Sequence, residues 1–370
     1  MQGQGDAREP GPLPRPGGSR AAQATDLALA SGAAPGIQYL VVDGTSARLD
    51  AAGGWADVAG RRPLRPDTTT MIYSMTKTFT AAAVLQLVER GAVALEEPAS
   101  TYLPGFPYGD RVTVRHLLSQ TSGIPNPIPL RWVHTPGEHA SYDESATLAK
   151  VLARYPRLAF EPGARYAYSN ISYWLLGRVV ERASGKSYQD FMAENVFGPL
   201  GLPREEIDFV IHAPERHAKG YLPRLSLMTL AMPFLVDRKF VGAFEGPWLH
   251  VRDNYLDGAA FGGIVASARA VAAFLSDQLR ERSALLAEET RRLFFTRQRN
   301  NAGELVETTL GWHVGRAAGA PFFFKEGGGA GFHGEMRIYR GAGIASVAVG
   351  NSGSFRVKRF LDSADREFLG

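Results

Sequence analysis

The chain of 370 residues carries 45% hydrophobic and 21% charged side chains, ordinary globular usage that excludes a wholly disordered or fibrous protein. Lys+Arg number 41 against 37 Asp+Glu, a net charge of only +4, and the charges are interspersed, so the basic stripe expected of a nucleic-acid binder is missing. Cysteine is absent, which removes disulfides, thiolate metal sites and a cysteine nucleophile.

Residues 1–20 hold four prolines and five glycines and no apolar run, and are expected to form a disordered leader without the apolar core of a signal peptide. A native start would place a soluble protein in the cytoplasm and a processed one outside it, so the compartment stays open. Residues 21–370 are expected to form a single domain. Residues 37–44 read as a strand ending in an Asp-Gly turn, and 47–59 supply a second. Helical periodicity follows over 78–91, 173–183 and 268–282, the first two closed by glycine. The longest apolar stretch, 225–236, spans 12 residues with Pro233 inside it, short of the about 20 a membrane span needs. It reads as a buried helix or a pocket-lining insert. Late in the chain, 321–325, 335–340 and 344–350 are β-rich, with a hairpin loop at 341–343, and 355–369 reads as an amphipathic helix. Regular βαβ alternation is missing. The pattern predicts an α+β fold whose antiparallel sheet joins both chain ends, flanked by helices, with a mostly helical subdomain within about 90–255.

Three short motifs carry possible chemistry. Ser74-Met75-Thr76-Lys77 lies where a strand-like run enters a helix, and positions i and i+3 share a helix face, so the Lys77 amine can reach the Ser74 hydroxyl. A serine needs such a base to become a nucleophile, and the helix N-terminus aims the Ser74 N–H at a developing oxyanion. Tyr168-Ser169-Asn170 offers a phenol that can move a proton and an amide that can position a carbonyl or a lysine. It is equally an ordinary helix start capped by Asn170 or Ser172. Lys325-Glu326-Gly327 and the glycines after it put a cation and open backbone at a strand end. The Gly329-x-Gly331-x-x-Gly334 spacing matches a dinucleotide fingerprint, but a hairpin rather than a helix follows, which rejects that reading. No Gly-x-Ser-x-Gly elbow occurs, which argues against an α/β-hydrolase. His134/His139 and His212/His217 are each five apart and no His-Glu-x-x-His occurs, so no metal site is expected. Trp132, Trp248 and Tyr255 are expected in the core.

Together the three motifs resemble the serine β-lactamase/penicillin-binding protein superfamily, above all its class C-like branch. That branch includes class C β-lactamases, D-alanyl-D-alanine carboxypeptidases, D-aminopeptidases and family VIII carboxylesterases. The segments IYSMTKTFTAAAVLQLVERG, VRHLLSQTSGIP, FEPGARYAYSNISYWLLG and FGGIVASARAVAAFL carry the same likeness, which spans residues 25–368. The resemblance implies a β-lactamase/transpeptidase-like fold and an acyl-enzyme mechanism without cofactor or metal. Ser74 would attack, Lys77 and Tyr168 would share the proton, and Asn170 would position lysine and substrate. Lys325 would keep the site electropositive, favouring a deprotonated Tyr168 or Lys77. The N–H groups of Ser74 and Gly328 would form the oxyanion hole. Gln120, standing where relatives often have His, would touch substrate, together with Gly327 and Gly329. The third motif departs from the Lys-Thr-Gly, His-x-Gly or Trp-Gly-Gly usual in the branch. Glu326 removes a hydroxyl that helps hold a substrate carboxylate and adds a negative charge. The expected function is therefore a carboxylesterase-type serine hydrolase acting on small esters. The alternatives are a β-lactamase, D-Ala-D-Ala carboxypeptidase or D-aminopeptidase, or a non-catalytic ligand-binding or sensor protein on the same fold. The partner is a small-molecule ester, amide or β-lactam, with no nucleic acid and no membrane span. Oligomeric state is left open.

Overall fold

The computed structural model describes residues 19–129 and 132–369, so most of the expected leader lies outside the described residues. A seven-stranded antiparallel sheet is built from Gly36–Val42 (β1), Ala47–Asp57 (β2), Arg62–Pro63 (β3), His313–Ala317 (β4), Ala320–Gly328 (β5), His333–Tyr339 (β6) and Ile344–Gly350 (β7), in the order β4-β5-β6-β7-β1-β2-β3. Its centre joins the two ends of the chain, with Ile37 of β1 opposite Gly350 of β7. Both central strands are buried along their length because both faces are covered. Ile37, Tyr39 and Val41 meet Phe355, Phe360 and Leu361, the last two on helix Val357–Ala364, beside helix Arg20–Ala30 (α1). The alternate residues Leu40, Val42, Val347 and Val349 face the larger core, with Phe274 and Leu275 of helix Ala268–Leu279.

Behind that helix runs Thr76–Glu89 (α2), which is buried almost all round. Ala81, Ala82 and Ala83 let neighbours approach closely, and Phe79 stacks on Phe274 with ring centroids 4.1 Å apart. Helix Asn170–Ser184 (α3) packs across α2 and completes the layer that carries the site. The antiparallel α+β fold expected from the sequence is the one observed.

Two features of the middle region add detail to the sequence reading. It contains a three-stranded antiparallel sheet, Gly220–Pro223, Trp248–Val251 and Val241–Glu245, among its helices. These strands are four or five residues long, too short for their alternation to be read from sequence. The apolar 225–236 stretch forms a helix, Leu227–Leu235, and of the two readings offered it is the pocket-lining one, with its other side open. Leu225, Leu227 and Leu230 are 95%, 87% and 68% exposed, while Met232 and Val236 line a cavity. It is a rim element with two apolar faces, and only one is covered. Trp248 and Tyr255 are core residues, whereas Trp132 is half-buried, edge-on to Trp174 at 5.5 Å and Phe261 at 6.0 Å. Among the described residues no helix is long and apolar enough to cross a membrane.

Candidate active site

Ser74 sits in a single 3₁₀ turn, Tyr73–Met75, between strand Thr69–Met71 and α2. The turn is held at both ends. Ile72 N–H donates to Ile264 O at 3.1 Å, and Met75 N–H returns to Ile72 O at 3.2 Å. Tyr73 takes the left-handed region, φ +45°, uncommon for a side chain of that size and a sign that the surroundings impose the bend. Gly327 of β5 lies directly against this turn, where a Cβ would come 2.0 Å from Ile72 O. Only glycine lets the sheet press so close, so Gly327 shapes the turn from behind and does not line the cavity.

One helical turn on, Lys77 is fully buried. Its Nζ lies 3.0 Å from Ser74 Oγ, 2.8 Å from Asn170 Oδ1 and 2.6 Å from Phe261 O. Two of these neighbours, the amide oxygen and the carbonyl, can only accept. A neutral amine has two N–H donors and one lone pair, so with both donors spent the lone pair is left facing the Ser74 hydroxyl. Electrostatics favour the same state. Burial, then the Lys325 cation, hold Lys77 well below the usual lysine range.

Tyr168 OH is 2.7 Å from Ser74 Oγ. Burial pushes this phenol up, well above its ordinary value, so it stays protonated at neutral pH and donates to Ser74 Oγ. Of the two deprotonated groups the sequence left open, Tyr168 or Lys77, burial opposes deprotonation at the phenol. Lys77 is placed to take a proton from Ser74 Oγ. The helix start also differs from the sequence reading. Ser169 is the N-cap of α3, its hydroxyl accepting from Ser172 N–H at 3.3 Å, and Asn170 is the first helical residue with its amide free to face Lys77.

Gln120 stands behind this segment and does not line the cavity. It is buried in a left-handed conformation, φ +59°. Its Oε1 accepts from Ser169 N–H at 2.6 Å, and its main-chain O accepts from Ala167 N–H at 2.9 Å. It therefore holds both sides of Tyr168, where the sequence had suggested contact with substrate.

Lys325 and Glu326 point to opposite faces of β5, as successive residues of a strand must. Lys325 is buried, with Nζ 5.1 Å from the Tyr168 ring centre and 3.4 Å from His313 Nε2. Burial brings its pKa down to about 7, with Glu326 opposing the shift. Glu326 is bonded at 2.5 Å to His333 Nε2, and that imidazole is pushed up mainly by the carboxylate. The negative charge expected of Glu326 is therefore felt at Lys325 and Tyr168, although its carboxylate is paired with His333 on the other face of the strand.

Gly328 and Gly329 follow at the strand end, and both line the cavity. Gly329 N–H bonds to Phe332 O within the hairpin at 3.0 Å. Successive N–H groups of a strand point to opposite edges, so that of Gly328 points off the sheet, on the side β4 has left after pairing Phe324 with His313. Ser74 N–H belongs to the first turn of a helix and has no intrahelical acceptor. Both are thus available to an oxyanion. The cavity they open into holds about 380 Å³ and is walled by Pro129, Val133, Met232, Val236, Phe240 and Phe261, with Asn254 as a polar contact.

The structure thus brings Ser74, Lys77, Tyr168, Asn170, Lys325, Gly328 and Gly329 together, and puts Gln120 and Gly327 in the shell behind them. Sequence reasoning missed His313, Tyr166 and Asn254. None stands in a motif, and only the fold brings them near Ser74.

The sequence pattern of the family described as Beta-lactamase matches residues 21–367. The chain belongs to this family. Its members are serine hydrolases on the β-lactamase fold. Among curated relatives the chain is 30% identical over 266 residues to penicillin-binding protein 4* of Bacillus subtilis, covering 70% of this chain and 55% of the relative. It is 28% identical over 198 residues to protein flp of Staphylococcus aureus, covering 52% and 39%. The chain therefore spans about half the length, or less, of these relatives. Among solved structures, the octameric penicillin-binding protein homologue from Pyrococcus abyssi superposes with a TM-score of 0.76 at 22% identity, covering 95% of this chain and 77% of that one. A D-amino acid amidase from Ochrobactrum anthropi superposes with 0.76 at 22%, covering 93% and 97%. At these identities the superpositions establish the fold.

Proposed function

We propose that the protein is a carboxylesterase-type serine hydrolase acting on small neutral esters through an acyl-enzyme at Ser74. The observation that carries this reading is the Ser74–Lys77–Tyr168 hydrogen-bonded group opening into an apolar cavity that has no carboxylate among its described lining residues. A substrate with a free α-ammonium would find no counter-charge there. The Glu326 residue in the third motif offers no hydroxyl for a substrate carboxylate, and the pairing with His333 turns it out of the site.

In this mechanism Ser74 Oγ gives its proton to the Lys77 lone pair and attacks the ester carbonyl, whose oxygen develops charge against the N–H groups of Ser74 and Gly328. Asn170 Oδ1 and Phe261 O keep the Lys77 lone pair on the serine. As the tetrahedral intermediate collapses, the leaving alkoxide takes a proton from Tyr168 OH. Acylation thus leaves the serine proton on Lys77 and Tyr168 as the phenolate. Water then attacks the acyl-enzyme with the same groups acting in reverse: it gives its proton to Tyr168, and Ser74 Oγ leaves with the proton held on Lys77, so both groups are restored.

The test is a panel with matched leaving groups: p-nitrophenyl esters of neutral short acids, the isosteric D-amino-acid p-nitrophenyl esters bearing an α-ammonium, and a chromogenic cephalosporin. Neutral esters should give the highest kcat/KM. A preference for the α-ammonium esters or the cephalosporin would return the assignment to an aminopeptidase or a β-lactamase.

A further inference from the structure

Two buried lysines face one tyrosine ring. Lys77 Nζ is 4.8 Å and Lys325 Nζ 5.1 Å from the centre of Tyr168. Two ammonium groups that close oppose one another, so the pair holds its protons as a coupled unit. The chemistry needs one particular arrangement, with the charge on Lys325 and the lone pair on Lys77. Lys77 has two strong acceptors, Asn170 Oδ1 and Phe261 O, that would also welcome a third proton on the amine. Something must bias the charge the other way.

His313 of β4 lies beside Lys325, its Nε2 3.4 Å from Lys325 Nζ and 3.1 Å from Tyr166 OH. We propose that His313 is a positioning residue whose Nε2 lone pair accepts from the Lys325 ammonium and so keeps the shared proton off Lys77. The proposal rests on the reading of Lys77 as the base for Ser74. An imidazole fits this task because it accepts without carrying charge. Burial, then Lys325, then Lys77 drive its pKa down to about 2, so it does not compete for the proton.

The groups facing this cluster are few. Tyr166 and Tyr168 come from the segment before α3, Lys77 from α2, Tyr173 from α3, and Glu326, already paired with His333, from the far face of β5. Of these, Tyr166 OH shares the same imidazole nitrogen. Two arrangements are self-consistent. In one, the imidazole proton is on Nδ1, and Nε2 accepts from a charged Lys325. In the other, the proton is on Nε2 and is given to Tyr166 O, which leaves Lys325 neutral. Tyr166 is thereby a competitor that tunes how firmly His313 holds the charge.

The test uses the full chain with ¹⁵N-labelled lysine. With only seven lysines in the sequence, Nζ resonances of the two buried residues can be assigned by single Lys→Met variants and followed through a pH titration. In His313→Phe the Lys325 midpoint should fall and the Lys77 midpoint rise, each by about one unit. The acid limb of kcat/KM should move to higher pH by a similar amount, giving roughly a tenfold loss at neutral pH. His313→Gln, which keeps an acceptor, should stay within about threefold of the parent. Tyr166→Phe removes the competing acceptor and should raise the Lys325 midpoint, which keeps the idea testable if His313→Phe does not fold. A folded His313→Phe with both midpoints and the acid limb in place would overturn the proposal. So would a Lys325 midpoint in Tyr166→Phe that stays fixed or falls. The titration reads the lysines without turnover, so failure of the esterase reading alone would leave these shifts standing.

Discussion

Replacing Tyr168 by Phe removes one oxygen, and the site's geometry predicts how that loss depends on substrate. The phenol makes one recorded hydrogen bond within the site, 2.7 Å to Ser74 Oγ, and burial keeps it protonated. Losing that contact slightly misplaces the nucleophile, a cost of one net hydrogen bond, about 1 kcal/mol or roughly fivefold to tenfold. The larger cost comes when the leaving group needs a proton. An alkoxide from an ethyl ester does, and loss of a positioned proton donor is worth roughly 10²–10⁴ in rate, about 2.7–5.4 kcal/mol. A p-nitrophenolate leaves without protonation. Tyr168→Phe should therefore lower acylation by p-nitrophenyl acetate only about tenfold, while hydrolysis of ethyl acetate falls by at least about a hundredfold. Stopped-flow burst measurements for the first substrate and a pH-stat for the second give both numbers. Lys77→Met, which removes the base for attack, should depress both substrates alike, and the double variant should lose less than the product of the single losses. Equal losses for both esters in Tyr168→Phe would refute the division of labour and make the phenolate the base.

Three further outcomes follow from the same contacts. Lys325→Met removes the cation that helps hold Lys77 down, so the Lys77 pKa rises and the acid limb of kcat/KM for neutral esters moves to higher pH; an unmoved limb would return Lys325 to a role in gripping substrate carboxylates. Gly327→Ala puts a methyl 2.0 Å from Ile72 O and should cost about 1–3 kcal/mol in a denaturant melt, with kcat falling as the Ser74 turn is pushed aside. Gln120→Leu strands the buried Ser169 N–H, an expected loss of about 1–3 kcal/mol, with kcat reduced and KM little changed because Gln120 stands behind Tyr168; a change confined to KM would instead make it a substrate contact.

Much of this arrangement could be read before any coordinates. Ser74 and Lys77 are three residues apart on one helix, so local geometry alone brings Nζ to within 3.0 Å of Oγ. The long apolar runs of β1 and β7 announce strands covered on both faces, and the Gly-Ala-Gly loop marks their hairpin neighbour. What could not be read depends on contacts between distant parts of the chain. Gln120 carries no local hint of its hold on Ser169, 49 residues away. His313 is one histidine among eight until β4 pairs with β5 and sets it opposite Phe324, next to Lys325. Glu326 is legible as a negative charge beside Lys325, but its pairing with His333, seven residues on, is not. Tyr168 shows the limit for electrostatics. Its motif suggests a base, yet its protonation is decided by burial, which is a property of the whole fold. The apolar Leu227–Leu235 helix shows the same for exposure, since composition predicts an interior that the rim of the cavity supplies on one side only.

The most direct test of the account is covalent capture of the nucleophile. Incubated with a p-nitrophenyl alkylphosphonate, the parent protein should gain the mass of a single phosphonyl group by intact-mass spectrometry, carried on the peptide that contains Ser74. The Ser74→Ala variant, with an unchanged circular dichroism spectrum, should gain none. A phosphonyl adduct that persists in folded Ser74→Ala would place the reactive group elsewhere and contradict the mechanism.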